Sequence, residues 1–345
     1  MIAKFIPTPL RLPPDIKARL RILLIAKHAL ADGSLDPVDG NHAVYHAELR
    51  DTLRLAGFDV AVADSYEALF ERPQADFVIP LLNRGGFQNS EMLAPLLLER
   101  YGMPYLGARP MLRGWSDDKH LAKLAAVAAN VPTARWICLR TGAPRPAALD
   151  FEAERYIVKP NASSASWGVR IFDDSNDALE HADTLLAQRY DAIIEEWLPA
   201  RDLAVPVVGG RGAAPWLLTP MAYMPGNGAD LRSYSEKRGL VPTGDDPLEA
   251  ISDPELLGRL ISATRCLARD YWPFDYGRFE FRHDPQTGAV HFMEVNLSCN
   301  LWSRKTISRA ARLQGIDHAA LVEHIVVHSM LRQRLIEPDM IVRCL

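Results

Sequence analysis

The chain has 345 residues, a formal net charge of -4, 48% hydrophobic and 24% charged residues, a length that exceeds one small core and a composition typical of a soluble globular protein. The acidic balance argues against general nucleic-acid binding, which needs a concentrated basic surface. No apolar run reaches membrane-spanning length and the N-terminal MIAKFIPTPLRLPPD lacks a signal-peptide core, so a cytoplasmic protein with no membrane partner is expected.

From Arg21 the chain alternates strands and helices: RILLIA, a helix over 43–56, FDVAVA, ADFVIPLL and a helix over 90–101. That rhythm predicts a parallel sheet with helices on its faces and ligand contacts at its strand ends. Asn83 to Asn89 lies between a strand and a helix, where its backbone could approach an anion or form a plain surface turn. A second unit opens near Ser116, where Ser116 or Asp117 can cap the helix DKHLAKLAAVAANVP, closed by Pro132. Strands YIVKP and GVRIF flank a small-residue loop, a helix covers about 177–188, and DAIIEEWL reads as another strand. A third unit runs from about Arg201, with strands LAVPVV and WLLTPMAYM, a Pro/Gly-rich stretch over 224–246, a helix over 254–271, a hairpin, and helices near 303–313 and 319–331. The expected division is 1–115, 116–200 and 201–345. Cys138, Cys266, Cys299 and Cys344 are widely spaced with no CxxC pair, which suggests free thiols.

The most informative stretch is Tyr276 to Asn300. Alternation puts Arg278, Glu280 and Arg282 on one face and Phe279 and Phe281 on the other, and His283 to Gly288 supplies a turn. A turn centred near Thr287 sets Glu280 opposite Glu294, and two carboxylates across a ladder repel unless a cation lies between them. Asn296 falls on the same face as Glu294. Two acids and an amide oxygen suit Mg²⁺, which prefers oxygen ligands; the alternative is a solvent-facing strand whose acids pair with Arg278 and Arg282.

Lys159 ends the strand YIVK beside the loop Asn161 to Gly168, where Ser163, Ser164 and Ser166 stand among small residues. A lysine there grips phosphate as a point charge while the loop covers it, or it sits on an ordinary exposed loop. Glu195-Glu196-Trp197-Leu198 ends a strand, followed by Asp202. Backbone groups after a strand can bond a planar base and a carboxylate can accept from ribose, although strands ending in two acids are also common on surfaces.

The ordered set SDDK, VPT, YIVKP with its loop, IIEEWLPARDLAV, SEKRG, GRFEF and MEVN resembles the ATP-grasp ligases, and within them the D-alanine–D-alanine ligase group, from about Ile22 to Arg332. The resemblance implies an α/β chain with an ATP-grasp fold preceded by an N-terminal parallel-sheet (pre-ATP-grasp) domain. It implies that Lys119 and Lys159 contact ATP phosphates under the loop Ala162 to Gly168, with Ser163, Ser164 and Ser166 in that loop. Glu195, Glu196 and Leu198 would hold adenine and Asp202 the ribose. Lys237 would lie in a segment covering the site and Arg278 would face the reacting acyl phosphate. Glu280, Glu294 and Asn296 would bind one or two Mg²⁺ ions, with Mn²⁺ as a substitute. Small-molecule carboxylate and amine substrates are implied, and related enzymes are often homodimers.

The sequence also departs from the family. The loop keeps only Gly168 where the family carries more glycines and a Glu, and Cys299-Asn300 replaces a Pro-Gly pair. Lys305-Thr306 aligns with the Ser-Leu that recognises the second D-alanine's carboxylate. The Glu-x-Ser pattern that holds the first amino acid's ammonium has no clear match; Asp36 and Asp39 are positional candidates. Asn300 and Lys305 are therefore the candidate substrate residues. The leading expectation is a ligase that forms an acyl phosphate from ATP and displaces phosphate with an amine. An authentic D-alanine–D-alanine ligase and a non-catalytic ATP-binding protein are the alternatives. Cys299, beside the hairpin, reads as packing rather than a nucleophile.

Overall fold

The computed structural model describes residues 8–82, 90–163, 166–210, 214–224, 240 and 247–342. The loop 83–89, Ser164, most of the 224–246 stretch with Lys237, and Cys344 lie outside the described residues. After the short helix α1 (Pro14–Lys17), strand β1 (Arg21–Ile25) lies between β2 (Asp59–Ala63) and β3 (Phe77–Pro80) in a parallel sheet of order β2-β1-β3. Four consecutive residues of β1 are buried because both faces are covered. Ile22 and Leu24 join a core with Tyr45, Leu49 and Leu53 of α2 (His42–Leu55), while Leu23 and Ile25 join another with Leu98 of α3 (Leu93–Arg100).

The next segment differs from the sequence expectation. Two helices stand there, α4 (Pro110–Asp117) and α5 (Lys119–Ala128), and the cap of α5 is Asp118, whose side chain accepts from Leu121 N. Pro110 starts α4, where its missing N–H is harmless, and the extended backbone of Asp118 (φ -86°, ψ 106°) breaks the helical run. A four-stranded antiparallel sheet follows in the order β4-β7-β5-β6, from β4 (Trp136–Leu139), β5 (Tyr156–Pro160), β6 (Arg170–Phe172) and β7 (Ala192–Glu196). Its Val158 and Ile194 pack against Ala178, Leu179, Ala182 and Leu185 of α6 (Ser175–Ala187). Period-two alternation then turns Ile157, Lys159 and Glu195 to the opposite face. That face is the wall of the cleft described below.

The largest sheet has the order β11-β10-β8-β12-β13, with β9 also paired to β8; its strands are β8 (Arg201–Val208), β9 (Trp216–Leu217), β10 (Met221–Tyr223), β11 (Leu248–Ala250), β12 (Tyr276–His283) and β13 (Val290–Asn296). The single strand expected over WLLTPMAYM is two strands, interrupted around Thr219-Pro220, where proline cannot donate to a ladder. Helix α7 (Pro254–Tyr271), capped by Asp253, buries Leu260 and Leu267 against Phe279, Phe281, Val205 and Val207. The polar face of β12 is left toward the cleft. A parallel bridge between Thr133 and Phe292 joins the two antiparallel regions, with Phe292 N donating to Pro132 O at 2.7 Å and Thr133 Oγ1 to Phe292 O at 2.8 Å. Helices α8 (Thr306–Arg312) and α9 (His318–Arg332) close the chain, and Ile307, Leu321 and Ile325 share the core of β1 and α2. Among the described residues no helix is long and apolar enough to cross a membrane.

Candidate active site

The hairpin has the register that alternation demanded: Arg278 faces Asn296 and Glu280 faces Glu294. A β-bulge follows Glu280, so Phe281 pairs with Phe292 rather than Met293 and both rings stay on the core side, 5.8 Å apart. The turn closes with Gly288 N donating to Asp284 O and Asp284 N to Ala289 O. Each acid of the facing pair has a cation. Arg278 Nε donates to Glu280 Oε1 at 2.7 Å, and Lys119 Nζ lies 3.6 Å from Glu294 Oε2. Burial alone would lower the basicity of Arg278, yet the Glu280 carboxylate outweighs it and holds the guanidinium firmly charged. Asn296 Oδ1 accepts from Ser298 N at 2.9 Å, which uses one of its two lone pairs.

Across the cleft, the exposed-loop alternative for Lys159 does not hold: the residue is buried on the inner face of its sheet. Its Nζ donates to Glu195 Oε1 at 3.0 Å, and the other oxygen of Glu195 receives Lys123 Nζ at 3.1 Å. Burial works to raise the Glu195 pKa, but the two lysines overcome it and bring it down to about 2. Lys119, in the first turn of α5, donates from Nζ to Ser163 O at 2.9 Å, and its backbone N–H donates to Asn161 O. It thereby ties the start of the small-residue loop to the acidic hairpin. Gly168 has φ of +69°, and a Cβ there would lie 2.8 Å from Pro160 Cγ, so this one glycine is required for the loop to fold back on its strand.

Glu196, on the other face of β7 from Glu195, has its two oxygens accepting from Arg135 N and Arg135 Nε, both at 2.8 Å. Asp202 Oδ1 lies 3.1 Å from Arg282 Nε without hydrogen-bond geometry, and the same guanidinium stacks 4.1 Å from the Trp197 ring centroid. A single cleft collects Lys119, Lys159, Ser163, Ser166, Glu195, Glu196, Leu198, Asp202, Glu280 and Glu294. It is an open cleft with about 810 Å³ of empty space counting its mouth. Arg278, Asn296, Asn300 and Lys305 do not line it. Arg278 and Asn296 lie further along the same hairpin face, and Asn300 forms an Asx turn to Trp302 N at 2.7 Å. Lys305 is the residue preceding α8, its Nζ 6.0 Å from the Trp302 ring. The neighbouring Thr306 is buried and shares a hydrogen bond of 2.8 Å with Tyr223 OH.

Cys299 is buried and its thiol is pushed up to about 12, chiefly by burial, so it is no thiolate at neutral pH. Asp36 and Asp39 converge on His28: Asp39 Oδ2 lies 2.9 Å from Nε2, Asp36 Oδ2 lies 3.9 Å from Nδ1, and Lys27 also pairs with Asp39. Sequence reasoning missed Lys123 and gave Arg282 and Trp197 no role in the site. For Lys123 a signal existed, since it follows Lys119 by four residues on one face of an alanine-rich helix.

No family model matches the chain. It is 28% identical over 290 residues to D-alanine–D-alanine ligase B of Xanthomonas campestris pv. campestris, covering 81% of this chain and 87% of that protein. It is 26% identical over 291 residues to the D-alanine–D-alanine ligase of Marinomonas sp., covering 79% and 86%. The D-alanine–D-alanine ligase of Bacillus anthracis, solved in complex with ATP, superposes with a TM-score of 0.72 at 19% identity, covering 92% of this chain and 99% of that one. The chain has the ATP-grasp fold of the D-alanine–D-alanine ligases. Another structure of this type, D-alanyl-alanine synthetase A of Vibrio cholerae, gives a TM-score of 0.69 at 14% identity over 91% and 99% of the two chains. In this fold the cleft lies between the four-stranded sheet and the hairpin of the larger one.

Proposed function

We propose that this chain is an ATP- and Mg²⁺-dependent carboxylate–amine ligase that joins amino acids or related small molecules through an acyl phosphate and releases ADP and phosphate. The observation that carries the reading is one cleft with two facing carboxylates on one wall and two lysines, Lys119 and Lys159, directed at the same space. The residues fit Mg²⁺: Glu280, Glu294 and Asn296 are hard oxygen donors on one face of the hairpin, with Arg278 beside Glu280 and Lys119 beside Glu294. When bound there, Mg²⁺ supplies charge neutralisation at the phosphates.

The protein's own residues account for the rest. Lys119 and Lys159 present fixed positive charge to the phosphate chain, in a cleft where low dielectric strengthens it. We assign the adenine edge to the backbone from Glu196 to Leu198 and the ribose to Asp202, while Glu195, also expected at the adenine, has its carboxylate taken up by Lys159 and Lys123. Arg278, held by Glu280 and kept charged, lies further along the hairpin face, and to it we assign the acyl phosphate and the displaced phosphate. The substrate carboxylate attacks the γ-phosphorus, the β–γ bridging oxygen leaves with ADP, and an amine then attacks the acyl carbon and expels phosphate. No protein nucleophile is needed, in keeping with the protonated thiol of Cys299.

We read the acceptor site as different from that for D-alanine, because Lys305 brings a full positive charge and a long stem to the aligned position, favouring a more anionic acceptor. Division at 115/116 and 200/201, a homodimer and a cytoplasmic location belong to the same reading. The test is Mg²⁺-dependent release of ADP and phosphate screened over pairs of amino acids, with product masses determined. Release of AMP and pyrophosphate would replace the phosphoryl-transfer reading with adenylation.

A further inference from the structure

Lys123 is fully buried yet lines no part of the cleft. Its Nζ donates to Thr133 Oγ1 at 2.8 Å and Ala134 O at 3.3 Å, lies 3.1 Å from Glu195 Oε2, and stands 5.4 Å from the Trp136 ring centroid. A charged lysine with no exposure is rare because desolvation is expensive. A structural ion pair would need only one lysine for Glu195. Here Glu195 has two, one on each oxygen, and the second is Lys159 on the cleft wall. The buried group therefore carries two positive charges against one negative. An isolated Lys159–Glu195 pair would be neutral and would hold the Lys159 ammonium in the carboxylate's field.

We propose that Lys123 is a positioning residue for ATP: by occupying the far oxygen of Glu195 it leaves Lys159 incompletely neutralised, so that the wall of the cleft holds a net positive charge matched to phosphate. This inference rests on the functional reading above. Thr133 extends the device mechanically, since it accepts from Lys123 and donates to Phe292 O on β13, the strand that carries Glu294. The cation behind Lys159 and the acidic hairpin are thus fixed to the same hydroxyl. The groups acting on Lys123 are Glu195 and Glu196, which favour its charge, and Lys159, which opposes it; His291 on β13 also senses it. Burial is the largest influence and lowers the Lys123 pKa below the ordinary lysine value. The charge behind Lys159 is accordingly lost at a lower pH than a surface lysine would lose it.

The test is calorimetric titration with ATP plus Mg²⁺, and separately with adenosine, on the full chain and on Lys123→Met. The long apolar side chain of methionine refills the volume and deletes the charge. ATP should bind roughly tenfold or more weakly to the variant, while adenosine, which carries no phosphate, should bind as before. In the wild type ATP affinity should fall as pH rises through the lowered lysine pKa; in the variant that alkaline limb should be missing. Lys123→Gln, which keeps a donor to Glu195 without the charge, should repeat the pattern and serves if the methionine variant does not fold. Equal loss of ATP and adenosine binding would make Lys123 a packing residue, and unchanged ATP affinity in a folded variant would overturn the inference alone. A wild type that does not bind ATP would overturn the functional reading along with it.

Discussion

Replacing Glu294 by glutamine separates stability from function more sharply than any other change in this cleft. Glu294 faces Glu280 directly across the ladder, and relief of that repulsion stabilises the metal-free protein by about 0.2–1 kcal/mol. The same change removes a 3.6 Å contact with Lys119; because the Glu294 side chain is 32% exposed, solvent screening limits that loss to about 0–1 kcal/mol. The two effects oppose each other, so the net change stays within about 1 kcal/mol and the melting temperature moves by no more than a few degrees. Turnover should behave differently, because an amide cannot supply the charge that holds a divalent cation over the phosphates. A loss of at least roughly 10²-fold is expected, the scale of removing one preorganised electrostatic group. Thermal melts with and without Mg²⁺, run beside an assay for ADP, decide it. The wild type should be stabilised by Mg²⁺ and the variant much less. A folded Glu294→Gln protein forming ADP at the wild-type rate would remove the metal site from the account.

Lys159→Met deletes a phosphate-facing charge and keeps the apolar stem, so ATP affinity should fall by about 1–3 kcal/mol in calorimetry; unchanged affinity would contradict the role given to the cleft wall. Glu195 has its folded pKa depressed from the usual 4.5 to about 2, so its stabilising contribution is complete above pH 4.5 and lost as pH falls toward 2. Acid unfolding followed by circular dichroism should accordingly be flatter over that window in Glu195→Gln, and an identical acid limb would show that the carboxylate is not held charged by its two lysines. Lys305→Ser should change which acceptor amine is used while leaving ATP affinity alone. Efficient D-alanyl-D-alanine synthesis by the wild type, indifferent to that substitution, would place Lys305 outside the acceptor site.

The hairpin was legible in the sequence because its evidence is local: alternation fixes which side chains share a face, and a compact turn fixes which residues stand opposite. Glu280 against Glu294 follows from those two facts, and the bulge after Glu280 alters only the pairing nearer the turn. Helix α7 was equally readable over 254–271, with Pro254 at its first position. The break between α4 and α5 was not, because Ser116, Asp117 and Asp118 are all competent caps and only packing selects Asp118. The short strand β11 and the edge strand β4 escaped for a related reason: strands of three or four residues carry almost no period of their own. The partners of Glu195 were invisible for a deeper one. Lys123 and Lys159 come from a helix and a strand far apart in the chain, and nothing in the local pattern around IIEEW indicates that its first acid is buried between two cations.

The most direct test of the central claim follows oxygen from substrate to phosphate. With ATP, Mg²⁺, an amine acceptor and a donor whose carboxylate is labelled with ¹⁸O, an acyl-phosphate mechanism transfers one labelled oxygen to the inorganic phosphate released with ADP. Mass spectrometry of the products should find that label in phosphate and none in AMP; label appearing in AMP, with pyrophosphate as the other product, would contradict the account.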